Sequence, residues 1–202
     1  MPFETFGFAT NYTVELNPEQ PGVGWGDQEK VLIRPGLNDA VVAEVTPLGG
    51  APWLAVDGMF AGSPPWACAT PNPNVVCFGA GWGEVGGRLI DVGRREAVLE
   101  LDSYMPRAHG IPDLKLLLLV SFTEIVAIGV DGIAWESERL ALDDLVVVET
   151  SAEGIVCEGY FGGAHPVRFT IDPATGQQLA GPVFVDPFRR RKPWRPFRRK
   201  AQ

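Results

Sequence analysis

Short apolar segments, four to nine residues long and bounded by Gly, Pro, Asn or Asp, recur along almost the whole chain. They are rich in Val, Ile, Leu and aromatic residues, and none carries an apolar stripe of helical period over three turns. The chain is therefore expected to be all-β, with one short helical turn at 137–144 capped by Ser137. The predicted strands are 12–16, 30–34, 40–46, 52–56, 66–69, 75–79, 88–92, 97–101, 115–122, 124–128, 133–136, 145–149, 155–160 and 167–171.

The clearest block of strands runs from residue 115 to residue 172. Its strands are joined by short turns, which predicts an antiparallel meander because parallel neighbours need crossovers of a dozen residues or more. Asp131-Gly132 predicts a type I′ hairpin turn. Gly176, at the end of the turn that Asp172 begins, predicts a left-handed residue. The run LLLLV at 116–120 does not alternate, so it predicts a central strand covered on both faces.

A weaker copy of this block lies about 40 residues upstream. There NVVCFGA, GRLIDV and EAVLELD repeat the rhythm of LLLLVSF, EIVAIG and IAWES. Four-stranded units at this spacing are typical of propeller blades and of stacked meanders. The expected architecture is antiparallel meanders of four-stranded units, arranged as a propeller-like fold, a β-sandwich or a partly open barrel.

The carboxyl half, mainly residues 115–176, resembles a widespread group of uncharacterised bacterial propeller-like proteins. The resemblance lies in the Asp131-Gly132 turn followed by Trp135, in the link at 137–144, and in the closing turn at 172–176. It implies a propeller-like fold and a bacterial origin, and it brings no catalytic residue with it.

The 202 residues, 46% of them hydrophobic, suffice for one sizeable core, and we expect a single domain over 1–185. No run reaches the roughly 18 apolar residues of a membrane-spanning helix. The first residues lack a basic start and a sustained apolar segment, so we expect no secretory signal and a cytoplasmic location. Cys68, Cys77 and Cys157 are expected to be buried free thiols, although a Cys68–Cys77 bridge across neighbouring strands is possible.

The last 17 residues reverse the charge of the chain. Residues 186–202 carry a net charge of +7, whereas residues 1–185 carry −15. Three prolines exclude a regular helix, so we expect a flexible, extended tail. The residues expected to make its contacts are Arg189, Arg190, Arg191, Lys192, Trp194, Arg195, Arg198, Arg199 and Lys200.

Four roles for this tail remain open. Interleaved Phe, Trp and Arg resemble short membrane-active peptides, which favours anionic lipid. Arginines on phosphates with Trp194 stacked on bases would bind nucleic acid, but the acidic body would repel polyanions and disfavours that reading. The tail could instead lie against the acidic body of its own or a neighbouring chain, or serve as a solubility or interaction tail without a dedicated ligand.

Catalytic motifs are weak. The match to G-x-G-x-x-G at 81–86 is followed by a strand-forming sequence rather than the helix that nucleotide binding needs, so it predicts a hairpin turn. His109 and His165 lack nearby ligand residues, and we expect neither a metal nor a cofactor.

The alternative enzyme hypothesis is a carbohydrate-active hydrolase. It would use one of the carboxylate pairs Asp143-Asp144, Glu136/Glu138 or Glu100/Asp102, with one pKa raised. Trp25, Trp66 and Trp82, in Gly/Pro loops, would form the sugar platform. We favour a non-enzymatic interaction protein whose tail contacts an anionic surface or a protein partner, with the acid pairs as solvated strand edges and the tryptophans as plugs of the core.

Overall fold

A computed structural model describes residues 3–16, 29–34, 39–59, 66–79, 87–101 and 105–185 of the chain. Within these ranges the chain forms sixteen β-strands in four sheets of four. The all-β prediction is confirmed, and each of the fourteen predicted strands overlaps an observed one.

The first sheet has the order β1-β3-β4-β2. Its strands are β1 (Tyr12–Leu16), β2 (Lys30–Arg34), β3 (Asp39–Pro47) and β4 (Trp53–Met59). β3 pairs antiparallel with both β1 and β4, whereas β2 lies parallel to β4. This sheet is therefore not a simple meander.

The other three sheets are antiparallel meanders, with strands adjacent in the order of the chain. The second contains β5 (Trp66–Ala69), β6 (Val75–Gly79), β7 (Arg88–Asp91) and β8 (Glu96–Glu100). The third contains β9 (Arg107–Ile111), β10 (Leu116–Val120), β11 (Ile125–Gly129) and β12 (Gly132–Glu136), with a 3₁₀ turn at Pro112–Leu114. The fourth contains β13 (Asp143–Thr150), β14 (Ile155–Tyr160), β15 (Val167–Ile171) and β16 (Gln178–Ala180).

The weak sequence repeat corresponds to a structural repeat. The strands β6, β7 and β8 hold the second, third and fourth places of their sheet, and β10, β11 and β12 hold the same places in the next. The two blocks that share a rhythm are thus equivalent parts of two four-stranded units.

Three hydrophobic clusters join the sheets in chain order. One contains Val45 of the first sheet and Ile90 of the second, and another contains Cys77 of the second and Leu117 of the third. The last contains Leu118 of the third sheet and Phe169 of the fourth. Alternate residues of β10 enter different clusters, so this strand is covered on both faces, as its non-alternating sequence predicted.

Two strands, β9 and β16, were not predicted. The sequence of β9, RAHGI, has one large apolar residue, and β16 is three residues long. Neither therefore carries the apolar alternation by which a strand is recognised. Pairing with an apolar neighbour stabilises each of them, β9 against β10 and β16 against β15.

The predicted helical turn at 137–144 is wrong. Residues 137–142 have no helical structure, and β13 begins at Asp143. Backbone N–H groups of this segment bond to neighbouring segments instead, since Leu140 donates to the Thr123 carbonyl and Leu142 to the Tyr160 carbonyl. An eight-residue helix is marginal alone, so these contacts to neighbouring segments prevail.

The Asp131-Gly132 hairpin is present, but its turn is not type I′. The register pairs Gly129 with Gly132, which places Val130 and Asp131 at the centre of the turn. Neither has a positive φ, whereas Gly132 has φ +118°. A type I′ turn needs positive φ at both central residues. Here the glycine instead occupies the last position of the turn.

Two of the sequence features named above, Trp135 and the closing turn at 172–176, contact each other. The indole N–H of Trp135 donates to the Pro173 carbonyl at 2.7 Å. Gly176 has φ +70°, as predicted, and a Cβ placed on it would lie 2.5 Å from the Trp135 ring. Trp135 is on β12 and the turn follows β15, so this contact joins the third and fourth sheets.

Candidate functional site

The predicted tail, residues 186–202, lies outside the described residues. The described chain ends with residues 178–185, which we call the exit segment because it leads directly into the tail. It contains β16 and the five residues after it. Its geometry determines where on the body the tail begins.

Gln178 and Gly181 shape the exit segment. The side-chain amide nitrogen of Gln178 lies 3.2, 3.1 and 2.8 Å from the carbonyl oxygens of Ala180, Gly181 and Pro182. Gly181 has φ +94°, and a Cβ there would lie 2.8 Å from the Phe169 side chain. A larger residue would be both strained and obstructed at this position, so the bend depends on glycine.

Phe184 attaches the exit segment to the body. Its ring meets that of Phe161 edge-on, with centroids 5.2 Å apart, and Phe161 in turn packs 5.7 Å from Phe169 of the core. The Arg139 guanidinium lies 5.8 Å from the centroid of the Phe184 ring. Aromatic and cation–π contacts of this kind each contribute about 0.5–1.5 kcal/mol. The exit segment is thereby held beside the fourth sheet.

Arg139 belongs to the link between the third and fourth sheets, contacts the exit segment through Phe184, and acts electrostatically on Glu124 in the turn after β10. Its guanidinium donates to the carbonyls of Ala141 and Leu142, at 3.0 Å each, and so braces the link between the third and fourth sheets. Burial raises the pKa of the nearby Glu124 carboxyl, and the positive charge of Arg139 opposes that rise.

The exit segment also exposes apolar side chains. Leu179 is 57% exposed, Val183 71% and Val185 81%. The sequence patterns single out neither these residues nor Phe184 and Arg139. The available signal is the aromatic Phe184 between two valines after a Gly-Pro bend, because successive side chains of an extended segment point to opposite sides.

Of the three predicted platform tryptophans, Trp66 lies within the described residues, and Trp25 and Trp82 lie outside them. Trp66 begins β5 and is half-buried against the cluster between the second and third sheets. A Cβ on Gly79 would lie 1.7 Å from its ring. The ring thus rests on the bare backbone of the neighbouring strand.

Two of the described members of the acid pairs, Glu100 and Asp144, form ion pairs with arginine. The Oε1 atom of Glu100 lies 3.4 Å from Nη2 of Arg88, and the Oδ1 atom of Asp144 lies 3.0 Å from Nη2 of Arg107. Asp102 is outside the described residues. Glu136 ends β12, and Glu138 follows in the link to the fourth sheet. Glu124, whose pKa is raised, belongs to none of the three pairs.

The histidines are separated in the fold. His109 is half-buried on β9, and burial lowers its pKa, with the charge of Arg107 acting in the same direction. His165 is exposed in the loop after β14. Among the residues that the structure describes, no group of three His, Cys, Asp or Glu side chains is placed to hold a metal ion.

The three cysteines are free and buried, as predicted. Cys68 and Cys77 lie directly opposite each other on β5 and β6, whereas Cys157 belongs to the cluster between the third and fourth sheets. The glycine-rich stretch 81–86 falls outside the described residues, but β6 and β7 on either side of it pair antiparallel. A strand therefore follows that stretch, as expected for a hairpin.

No protein-family model matches this chain, and no curated protein matches it either. No helix in the described part of the chain is long and apolar enough to span a membrane.

Proposed function

We propose that this chain is a non-enzymatic interaction protein of the bacterial cytoplasm, in which an acidic β body presents a basic tail to an anionic surface. The observation that carries the proposal is the charge reversal along the chain, from −15 over residues 1–185 to +7 over residues 186–202. The bacterial origin rests on the family resemblance. Three cysteines as free thiols are consistent with a reducing compartment.

Anionic lipid is the surface that these features favour most. A basic residue near an anionic membrane contributes about 1 kcal/mol, and the tail has eight of them. Phe188, Trp194 and Phe197 are of the type that settles at a membrane interface. The exposed Val183 and Val185 extend this apolar character back to the body.

The acidic body does not prevent such binding. An extended tail of 17 residues reaches about 56 Å, at about 3.3 Å per residue. The Debye length at physiological salt is about 8 Å. Repulsion between the body and the surface is therefore screened over most of the reach of the tail, while arginines in contact with headgroups are screened far less.

The hydrolase alternative has less support. It needs two carboxyl groups facing each other beside a tryptophan platform. Glu100 and Asp144 instead pair with arginines, and Trp66 is packed against the core.

The test is co-sedimentation with vesicles, using the full chain and a chain that ends at Val185. We expect the full chain to bind vesicles containing phosphatidylglycerol about tenfold or more better than neutral phosphatidylcholine vesicles, and the shortened chain to bind neither. Two full-length variants separate the contributions: the eight basic tail residues changed to Gln, and Phe188, Trp194 and Phe197 changed to Ala.

Equal and negligible sedimentation of the full and shortened chains, at low and at moderate salt, would exclude a tail function toward lipid. A parallel titration with a single-stranded oligonucleotide distinguishes the other polyanion. Tighter binding to the oligonucleotide than to the vesicles would replace the lipid proposal with nucleic-acid binding.

A further inference from the structure

Cys68 and Cys77 face each other across two paired strands. The register of β5 and β6 places them directly opposite, and both side chains belong to the cluster between the second and third sheets. Directly opposite residues of an antiparallel pair have Cα atoms about 4.5–5.5 Å apart. A disulfide needs about 4.4–6.8 Å. The backbone therefore already has the spacing that a bond between the two sulfurs requires.

Both thiols are protected from solvent in this structure. Cys68 is 1% exposed and Cys77 is 0% exposed. Burial raises the pKa of the Cys68 thiol, and a hydrogen bond with Cys77 and the charge of Glu4 act in the same direction. Since the thiolate is the reactive species, the pair is inert while it stays covered.

Residues 3–8, which we call the cover segment, lie beside β5, the strand that carries Cys68. Glu4 is held beside β5 by two backbone hydrogen bonds, from its N–H to Ala67 and from the Ala69 N–H to its carbonyl. Phe6 and Phe8 pack against the cluster that contains the two cysteines. The segment thus adds two aromatic rings to the edge of the cluster that contains the pair, and it has one bridge to the sheet.

The cover segment has features that favour local opening. Phe6 has φ +51°, a conformation that a bulky side chain rarely adopts. Its Cβ sits against Gly110 of β9, where a Cβ on that glycine would lie 2.2 Å away. A strained segment with few backbone bonds belongs to the part of a fold that opens at low cost.

We propose that Cys68 and Cys77 form a reversible dithiol–disulfide site that the cover segment controls. This goes beyond the proposed function of the tail and does not depend on it. The oxidant is a small-molecule disulfide of the glutathione type. The Cys68 or Cys77 thiolate attacks one of its sulfurs and releases one small thiol; the second cysteine then attacks the mixed disulfide and releases the other. Two electrons pass to the small disulfide, and one protein S–S bond forms.

The experiment uses the full, reduced chain incubated with oxidised glutathione, then alkylation of the remaining thiols and peptide mass spectrometry. Gly110→Ala displaces Phe6 without changing the cover segment itself. Phe6→Gly relieves the backbone strain and removes the ring. Gly163→Ala is the matched control, because a Cβ there meets nothing within 4 Å. Cys157, buried in a different cluster, reports opening of the rest of the core.

We expect a Cys68–Cys77 disulfide that forms at least tenfold faster in G110A and F6G than in the unchanged chain, with G163A equal to the unchanged chain and Cys157 still alkylatable. Absence of this disulfide in every variant would overturn the proposal. Equal rates in G110A and the unchanged chain would also overturn it. Modification of Cys157 at the same rate as the pair would show that unfolding of the whole core, and not the cover segment, admits the oxidant.

Discussion

Glu124 shows how burial and a neighbouring charge compete at one residue. It lies in the turn between β10 and β11, and burial raises its pKa more than Arg139 lowers it. The folded state therefore binds the proton more tightly than the unfolded state does. Its contribution to stability is complete below the ordinary carboxyl pKa of about 4.3 and is lost as the pH rises through the raised folded pKa.

Glu124→Gln should remove this dependence. Because Gln does not titrate, the free energy of unfolding of E124Q should increase relative to that of the unchanged chain as the pH rises from about 4 through that window. Urea denaturation at a series of pH values measures the difference, with Glu153→Gln, a change of an exposed carboxyl, as control. A difference that decreases with pH would mean that the attraction to Arg139 outweighs burial.

At the scale of single residues, the sequence predicted whether a side chain is buried better than it predicted which residues that side chain contacts. The buried free thiols and the left-handed Gly176 could be predicted, because both depend on residue type. The contact of Trp66 with Gly79 and that of Arg139 with Phe184 could not. Each joins segments whose proximity arises only when strands pair or sheets stack, and no local pattern encodes that.

At the scale of the elements, the contact between Trp135 and the turn at 172–176 joins strand β12 to the turn after β15. Gly176→Ala places a methyl group 2.5 Å from the Trp135 ring and so threatens its hydrogen bond to Pro173. Leaving a buried donor unsatisfied costs about 1–3 kcal/mol, in addition to about 1–2 kcal/mol for alanine in a left-handed conformation. We expect G176A to lower the free energy of unfolding by about 2–5 kcal/mol in urea denaturation.

Gly49→Ala is the matched control for this prediction. Gly49 has φ +74°, close to that of Gly176, but a Cβ there meets nothing within 4 Å. The two variants share the backbone strain, and only G176A disturbs the tryptophan. Equal losses of stability would show that the contact with Trp135 adds nothing.

Elements were predictable where their own residues specify them. The apolar strands of the third and fourth sheets were located within a few residues, because local alternation and turn residues mark their ends. Strand β9 and the pairing of β2 with β4 were not predicted. The first depends on its neighbour β10, and the second joins strands that are distant in sequence, so both are set by tertiary contacts.

At the scale of the whole molecule, the four sheets are linked in series by three clusters. The third sheet contributes to two of them, and so does the second. A sheet that packs one face against each of two neighbours couples their stability, because a defect in one cluster also disturbs the sheet that forms the other. The single domain over residues 1–185 stays a prediction. The tail, outside the described residues, and the choice between a propeller-like and a sandwich arrangement stay predictions.

Unfolding should consequently be a single cooperative transition. Leu118→Ala damages the cluster between the third and fourth sheets, and Ile90→Ala damages the one between the first and second. Each should lower the free energy of unfolding by about 2–5 kcal/mol, while Val148→Ala, at an exposed position, should change it by less than about 0.5 kcal/mol. Tryptophan fluorescence and far-ultraviolet circular dichroism should give coincident urea curves for every variant. A shared core requires that damage at either end of the series of sheets destabilise the whole molecule. Two separate transitions in I90A, of which only the later one shifts in L118A, would therefore show that the first two sheets and the last two sheets unfold independently.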